Sequence, residues 1–369
     1  MVVGKRLVCL CPNPDWTIKQ EIAIVKYRNL TAHANLEVRR KVALDLISKT
    51  PRRYQSEDIE TVSFKGVWYG PEASVGYDNK VILFVHGNCP SFVHYPPPPP
   101  LSFQADFPPP FPMVCVLPGG EYVSGHPLMH ARSFDLMLKY LEDKGSNCRI
   151  LSLKYSMAPG AQHPTPLYEL QAAYDHLISD LSISPTQIIL GGDSSGATMC
   201  LAFCFQIHET HPMPAGMFLV SPWVDSRQNE KFSNSPHLGS DVLTPDYLCF
   251  GISQYLQGQE NTQLTSPIIG SPQGLPKMFI SVGGRELMHD DIMGMKSIPP
   301  LSRRGSHHIL SLIPDFARRC AEVNGKHSIE VDEDPTMIHN FTFLPGVVGQ
   351  PAFRSMRKLC LFLQTIYHQ

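Results

Sequence analysis

A chain of 369 residues is long enough for one large domain or two ordinary ones. Hydrophobic residues make up 43% of it and charged residues 17%, which indicates a globular protein with a sizeable buried core. The formal net charge is −2 without a long run of either sign, so nothing predicts binding to nucleic acid or to an anionic membrane.

The N-terminal residues do not have the pattern of a secretory signal. The apolar run at residues 7–11 is shorter than a signal-peptide core, and Pro12 and Pro14 end it. No apolar stretch is long enough to span a bilayer, so we expect a cytoplasmic protein. The ten cysteines are irregularly spaced, and Cys200 and Cys204 lie four apart in an apolar run, which predicts reduced thiols rather than a disulfide framework.

Secondary-structure patterns then alternate along the chain. Residues 36–48 have helical periodicity and belong to an N-terminal helical region that we place at residues 1–55. Helix-length segments separate most of the strand-like runs that follow, which predicts βαβ units and a mainly parallel sheet in a second region, residues 56–369. The strand-like runs are residues 62–64, 80–85, 149–153, 187–190, 217–220, 278–282 and 328–331, and the helix-length segments are residues 130–144, 166–181 and 197–208.

Two stretches interrupt this alternation. Residues 88–118 hold eleven of the 34 prolines and cannot supply the backbone donors of a sheet. Residues 294–314 contain pairs of adjacent prolines, arginines and histidines. Structureless segments of this length are rare in compact domains, so we interpret both stretches as inserts.

The run Gly192-Asp193-Ser194-Ser195-Gly196 predicts a nucleophilic serine. A Gly-x-Ser-x-Gly motif places its serine on a strained, exposed turn when a strand precedes it and a helix follows it. Here an apolar strand-like run precedes the motif and a helix-like run follows it. A turn that merely caps the helix is the alternative interpretation, but this context favours Ser194 as a nucleophile.

A serine hydroxyl needs a histidine to remove its proton, and the histidine needs a carboxylate to fix its tautomer. Enzymes built on such a turn carry the acid and then the histidine downstream of the serine. Glu286 follows the strand-like run at 278–282, and His339 follows the run at 328–331, so both fit this order. Asp290 and Asp291 stay open as alternative acids.

One pair of residues has the spacing of metal ligands. His126 and His130 lie at positions i and i+4, but no acidic third ligand accompanies them. We therefore expect no metal site, and acyl transfer from a serine needs no cofactor.

Taken together, these residues resemble the hormone-sensitive-lipase-like branch of the α/β-hydrolases, particularly its fungal esterases. The resemblance runs from about Val62 to the end of the chain and implies an α/β-hydrolase fold. In that family two carboxylates lie four apart and the first is catalytic, which favours Glu286 over Asp290. The motifs that carry the resemblance are Gly192-Asp193-Ser194-Ser195-Gly196, Tyr155-Ser156-Met157-Ala158-Pro159 with His163-Pro164-Thr165-Pro166, Ser221-Pro222-Trp223-Val224-Asp225 and His339-Asn340-Phe341.

One motif of that family is interrupted here. The family has a His-Gly-Gly run whose backbone N–H groups form an oxyanion hole with that of the residue after the serine. In this chain His86-Gly87 precedes the proline-rich insert, and Gly119-Gly120 follows it. The resemblance therefore implies oxyanion donors at Gly119, Gly120 and Ser195, separated from His86 by the insert.

We hypothesise that both inserts are translated introns. Gly87-Asn88 and Gly294-Met295 can each be encoded by GGT followed by A, which contains a splice donor. Pro118-Gly119 and Pro314-Asp315 can each be encoded by CCAG, which contains a splice acceptor. Removing the first insert restores His-Gly-Gly, and removing the second joins two helix-like segments. Genuine loop insertions are the alternative.

The expected function is that of a serine carboxylic-ester hydrolase that forms an acyl-enzyme. The resemblance implies that residues before about 56 and residues 241–256 cover the pocket, and their apolar content fits a small-molecule ester. A short-to-medium acyl ester, an acetylated lipid and a secondary metabolite all stay open, and a lactonase or amidase would use the same triad. The alternatives are a non-catalytic ligand-binding homologue and a product inactivated by the inserts. The sequence does not indicate an oligomeric state.

Overall fold

A computed structural model describes most of the chain that follows the N-terminal segment. The described residues are 16–17, 20–25, 28, 35–49, 52–71, 80–87, 122–227, 229–293, 320, 322–325 and 328–367. Both inserts, at 88–118 and 294–314, lie outside them, as do Gly119 and Gly120.

Eight strands form one sheet in the order β1-β2-β4-β3-β5-β6-β7-β8. The two pairings that involve β2 are antiparallel, and the other pairings are parallel. The strands are β1 (Ser56–Glu60), β2 (Lys65–Tyr69), β3 (Lys80–Val85), β4 (Cys148–Leu153), β5 (Ile188–Asp193), β6 (Gly216–Val220), β7 (Met278–Gly283) and β8 (Ile329–Asp334).

Helices connect the strands and cover the sheet. Residues 20–25 are also helical, ahead of the first of the longer helices. The helices are α1 (Leu36–Lys49), α2 (Ala131–Asp143), α3 (Thr165–Asp175), α4 (Ser195–Ile207), α5 (Pro245–Leu256), α6 (His289–Met293), α7 (Pro345–Val348) and α8 (Gln350–Tyr367).

The central strands are apolar on both faces. Every residue of β5, β6 and β7 is buried, as is all of β3 after its first residue. Continuous apolar strands are typical of a parallel sheet that helices cover on both sides. The carboxyl ends of parallel strands meet at one edge, so the turns after β3, β5 and β7 lie together there, at the place where α/β proteins bind ligands.

The predicted mainly parallel sheet is confirmed, but one predicted strand is wrong. Residues 62–64 belong to a turn. The backbone N–H of Thr61 donates to the Phe64 carbonyl, and the Thr61 hydroxyl accepts the backbone N–H of Phe64. Val62 is fully exposed. The strands flanking this turn, β1 and β2, form a hairpin that the sequence did not predict. β1 has the sequence Ser-Glu-Asp-Ile-Glu and is largely exposed, so it lacks the apolar pattern on which strand prediction depends.

The predicted core thiols lie where the apolar run placed them. Cys200 and Cys204 are buried in α4 as free thiols, and Cys200 donates to the carbonyl of Gly191. None of the helices that the structure describes combines the length and the apolar character needed to cross a membrane.

Candidate active site

The turn between β5 and α4 holds Ser194 in a strained conformation. Its φ of 52° and ψ of −123° lie where residues other than glycine are rare. The turn requires the glycine on each side of Ser194. A Cβ at Gly196 would overlap the carbonyl oxygen of Val85, and a Cβ at Gly192 would lie 2.7 Å from the backbone of Gly196. This geometry is that of a nucleophile elbow, which presents the serine Oγ at the sheet edge.

Three predicted side chains meet at this turn. The Ser194 Oγ lies 3.0 Å from Nε2 of His339, and Nδ1 of that histidine lies 3.3 Å from a carboxylate oxygen of Glu286. The side chains of His339 and Glu286 are fully buried. The arrangement gives a hydroxyl, an imidazole and a carboxylate in series, which is the geometry that moves a proton from the hydroxyl to the imidazole.

Close backbone contacts bring the glutamate and histidine turns together. Glu286 lies three residues beyond β7, and His339 lies five residues beyond β8, the neighbouring strand. Arg285 N donates to the Met337 carbonyl, and a Cβ at Gly283 would lie 2.6 Å from the carbonyl oxygens of Met337 and Ile338. Only glycine permits this approach, so the turn that carries Glu286 packs directly on the turn that carries His339.

The alternative acid, Asp290, has a different partner. Its Oδ1 lies 3.2 Å from Nδ1 of His289, and 45% of its side chain is exposed. The other ring nitrogen of His289 lies 3.0 Å from a carboxylate oxygen of Glu333. The structure therefore places Glu286, not Asp290, against His339.

Two of these side chains, His289 and Asp290, form a cluster of possible metal ligands with His237. His237, His289 and Asp290 each offer a ligand atom, and these atoms lie within 4.8 Å of one another. Both ring nitrogens of His289 already contact carboxylates, so these contacts account for the proximity of His289 and Asp290. The absence of a metal stays a prediction. The two histidines with the spacing of metal ligands, His126 and His130, have separate partners. His130 contacts Asp193, and His126 accepts the backbone N–H of Leu128.

Asp193, the residue before the nucleophile, connects three parts of the site. Its Oδ1 accepts the N–H of Gly87 at 2.7 Å and lies 3.0 Å from Nε2 of His130, while its Oδ2 accepts the side-chain amide of Asn340 at 2.7 Å. Burial would raise the pKa of Asp193, but His130 and the Gly87 N–H outweigh burial and lower it. The carboxylate thereby fixes the turn after β3 and the turn that carries His339.

The Ser221-Pro222-Trp223 run supports the same histidine turn. The Oγ of Ser221 accepts the backbone N–H of Asn340 at 2.9 Å, and the Trp223 N–H donates to the carbonyl of Ser194 at 3.3 Å. Ser221 has a φ of 46°, so it adopts a conformation rare for serine to make these contacts. The run therefore positions both the serine turn and the residue after His339.

The structure describes only part of the predicted oxyanion hole. Ser195 is the first residue of α4, so its N–H is among those that find no acceptor within the helix, at the end where the dipole favours an anion. Gly87 packs against Ser194, since a Cβ there would lie 2.8 Å from the Ser194 Cβ. Its own N–H is bound to Asp193. A further donor would therefore come from residues after Gly87, and Gly119 and Gly120 lie outside the described residues.

Described residues from before and after the proline-rich insert pack against each other. A Cβ at Gly125 would be 2.6 Å from Nδ1 of His86 and 3.3 Å from the carbonyl oxygen of Gly87. His86 is buried and stacks on Tyr155 with ring centroids 4.6 Å apart. Burial lowers its pKa to about 3, so the ring is neutral near pH 7. Gly87 and Gly125, which lie before and after the insert in the chain, are thus close neighbours.

Deleting residues 88–119 should raise ester hydrolysis. The deletion joins Gly87 to Gly120 and recreates the His-Gly-Gly turn facing Ser194. One oxyanion donor contributes about 100- to 1,000-fold in rate, so we expect an increase of about that size in kcat/KM for a short-chain p-nitrophenyl ester.

Deleting residues 294–314 alone is the matched control. It removes the other insert but does not restore the oxyanion turn, so its effect should be smaller. Equal rates for the full chain and the 88–119 deletion would contradict the role of the turn. A mature transcript that keeps both segments would contradict the intron hypothesis.

Aromatic side chains close the site on the side of α5. The rings of Tyr122 and Tyr255 stack with centroids 3.7 Å apart, and Trp223 lies 6.3 Å from Tyr122. All three side chains are buried. Tyr255 belongs to α5, so this helix, which lies in the segment expected to cover the pocket, packs on residues adjacent to the nucleophile turn.

The N-terminal region also packs over the site. Arg40 of α1 donates to the carbonyl oxygens of Val123, at 2.7 and 3.0 Å, and of Ala158, at 2.9 Å. Arg28 donates to the Asp241 carbonyl at 2.7 and 2.9 Å. These contacts connect residues from the proposed cap region, 1–55, to the chain around the candidate site.

Comparisons with known proteins agree with this architecture. The family described as "alpha/beta hydrolase fold" matches residues 114–297. An acetyl-hydrolase of Streptomyces hygroscopicus is 29% identical over 184 residues, which cover 49% of this chain and 59% of that protein. An esterase of Acinetobacter venetianus is 28% identical over 146 residues, covering 39% and 48%. The chain thus spans about half the length of these curated relatives.

Solved structures resemble nearly the whole chain. An esterase from the bacterial hormone-sensitive lipase family superimposes with a TM-score of 0.69 at 20% identity, over 95% of this chain and 99% of that chain. A hormone-sensitive lipase from a metagenome library gives a TM-score of 0.68 at 22% identity, over 94% and 98%. At such identities the likeness shows the fold.

The order of the strands, the elbow after β5 and the matched family model define an α/β-hydrolase fold. Solved structures of the hormone-sensitive lipase family share this fold, at 20–22% identity. The relatives named above are bacterial, and the fungal affinity expected from the sequence stays a prediction.

Proposed function

We propose that the protein is a serine carboxylic-ester hydrolase that works through an acyl-enzyme. The observation that carries the proposal is the series of contacts from Ser194 Oγ to His339 Nε2, at 3.0 Å, and from His339 Nδ1 to Glu286, at 3.3 Å. The strained elbow that presents Ser194 adds support, because backbone strain of this kind clusters at functional sites.

The proposed reaction has two halves. Ser194 Oγ attacks the ester carbonyl while His339 Nε2 takes its proton, and the resulting tetrahedral oxyanion faces the N–H of Ser195. The intermediate collapses when His339 gives the proton to the departing alcohol, which leaves an acyl-enzyme. Water then attacks this acyl group with His339 as base, and the carboxylic acid departs as Ser194 regains its proton. Glu286 holds the imidazole and stabilises its positive charge.

We propose a neutral small-molecule ester with a short or medium acyl chain as the substrate. The names of the relatives, acetyl-hydrolase and esterase, support this class. The buried aromatic group of Tyr122, Trp223 and Tyr255 beside the nucleophile turn supports an apolar rather than a charged ligand. An acetylated lipid or a secondary metabolite belongs to the same class.

A panel of p-nitrophenyl esters from acetate to laurate, together with a fluorophosphonate probe, tests the proposal. We expect hydrolysis that is fastest for the shorter acyl chains and covalent labelling at Ser194. An amide and a lactone in the same panel distinguish the related activities. A folded protein that neither hydrolyses esters nor takes up the probe would instead be a ligand-binding homologue or a product inactivated by the inserts.

The acid limb of the pH profile should lie above the ordinary histidine range. Burial lowers the pKa of His339, but the carboxylates that face it, Glu286, Asp241 and Asp193, outweigh burial and raise it. Only neutral imidazole can take the Ser194 proton, so kcat/KM should fall as pH drops through a pKa above about 6.5. Steady-state rates from about pH 4 to 9 measure this limb. A midpoint below the ordinary value would contradict the prediction.

Two further properties stay predictions. The first is the cytoplasmic location expected from the sequence. Small-molecule esters are the only partners that we propose.

A further inference from the structure

A buried carboxylate that is not part of the proposed triad lies beside it. Asp241 follows the turn at residues 237–240, and its side chain is fully buried. Its Oδ1 accepts the N–H of His339 at 3.1 Å and that of Val242 at 2.7 Å, while its Oδ2 accepts the N–H of Leu287 at 2.8 Å. Three N–H donors on two oxygens are the partners that a buried, ionised carboxylate requires.

Two of these donors belong to the turns that carry the proposed base and acid. One is the backbone N–H of His339 itself, and the other belongs to Leu287, the residue after Glu286. The donors lie 98 and 46 residues from Asp241 in the chain, so neither contact follows from local structure. A single side chain therefore fixes the backbone on both sides of the Glu286–His339 pair.

We infer that Asp241 is a positioning residue, whose carboxylate holds the backbones of the His339 and Glu286 turns at the separation that proton transfer needs. The inference rests on the proposed function. A carboxylate is suited to this role, because each of its oxygens accepts from a different turn. An amide has one oxygen and one NH2 group, so in any orientation its NH2 group would face a backbone N–H.

The charge of Asp241 also acts on the histidine. Together with Glu286 and Asp193, it raises the pKa of His339. Burial, with the negative charge of Glu286, holds the pKa of Asp241 above its usual value, although His339 and the two backbone N–H groups oppose this rise. Removing the charge should therefore lower the pKa of His339, an effect that loss of packing alone would not produce.

The backbone carbonyl of Asp241 also connects this residue to the N-terminal region. Arg28 of the N-terminal region donates two hydrogen bonds to the Asp241 carbonyl and also contacts the Gly239 carbonyl. The segment that carries Asp241 then continues into α5, whose Tyr255 stacks on Tyr122. Asp241 thus joins the cover of the pocket to the catalytic turns.

Asp241→Asn tests the inference in the full-length chain. We expect kcat/KM for a short-chain p-nitrophenyl ester to fall by about 10- to 100-fold, mostly in kcat, because misplaced catalytic groups cost about that much. The acid limb of the pH profile should move to lower pH. Asp180→Asn is the matched control, since Asp180 also contacts a histidine, His176, but 68% of its side chain is exposed.

The pH dependence of fluorophosphonate labelling makes the test independent of protein yield. An apparent pKa of the labelling rate does not depend on how much enzyme is folded, so it can be measured even if Asp241→Asn folds poorly. A variant that loses thermal stability but keeps the wild-type kcat and acid limb would overturn the inference and leave the proposed function intact. A wild-type chain that neither labels nor hydrolyses esters would overturn both.

Discussion

Replacing Ser194 by alanine should lower kcat/KM for a p-nitrophenyl ester by about a million-fold, which is the scale seen when a serine hydrolase loses its nucleophile. The reason is that no other hydroxyl in the described structure is placed at 3.0 Å from Nε2 of His339. The fold should be unaffected, because Oγ makes no backbone hydrogen bond in the elbow that the structure records. Steady-state kinetics and thermal unfolding of the same preparation measure both effects.

Ser195→Ala is the matched control for this variant. It removes the adjacent hydroxyl but keeps the backbone N–H that we propose as an oxyanion donor, and it recreates the Gly-Asp-Ser-Ala-Gly motif of the resembled family. This variant should retain most of the activity and the fluorophosphonate labelling. Equal losses in the two variants would show that the turn, rather than the Ser194 hydroxyl, is what matters.

Replacing Glu286 by glutamine should lower kcat by about ten-thousand-fold. Glutamine has the same shape but carries no charge, and its amide can present an NH2 group to Nδ1 of His339. The imidazole then favours the wrong tautomer, with its proton on the nitrogen that should accept from Ser194. The expected loss therefore comes from the position and charge of one carboxylate that is fully buried and lies 3.3 Å from the ring.

Asp290→Asn distinguishes the two acids that the sequence left open. Asp290 is half-exposed and contacts His289 rather than His339, so its replacement should leave kcat close to that of the wild type. Parallel kinetics of the two variants give the answer directly. A large loss in Asp290→Asn with a small one in Glu286→Gln would reverse our assignment of the acid.

The parts of the fold that the sequence predicted are those with a local pattern. β3, β5, β6 and β7 are continuous apolar runs, and their predicted bounds lie within three residues of those in the structure. The β1–β2 hairpin was missed because the exposed strand Ser56–Glu60 is acidic and its pairing with β2 is a tertiary contact. Residues 62–64 were assigned to a strand from their composition, whereas the Thr61 hydrogen bonds make them a turn.

In the candidate site, too, the residues with a local sequence pattern were predicted and those defined by distant contacts were not. Ser194, Glu286 and His339 could be chosen because each follows a strand-like run in an order that the chemistry requires. Asp241 gave no such pattern, since its partners lie far away in the chain and are backbone N–H groups. The contact of Asp193 with Asn340 likewise joins residues 147 positions apart. Residues that hold a site in place are thus harder to predict than those that react.

The arginines of the N-terminal region have a consequence for how such a pocket could change over evolution. Arg28 donates to the carbonyl oxygen of Asp241, and Arg40 donates to those of Val123 and Ala158. Every amino acid supplies the same carbonyl, so substitutions at Val123 or Ala158 need not loosen the attachment of the region. New acyl or alcohol groups could therefore be accommodated by exchanging side chains around the pocket while its cover stays attached to an unchanged backbone.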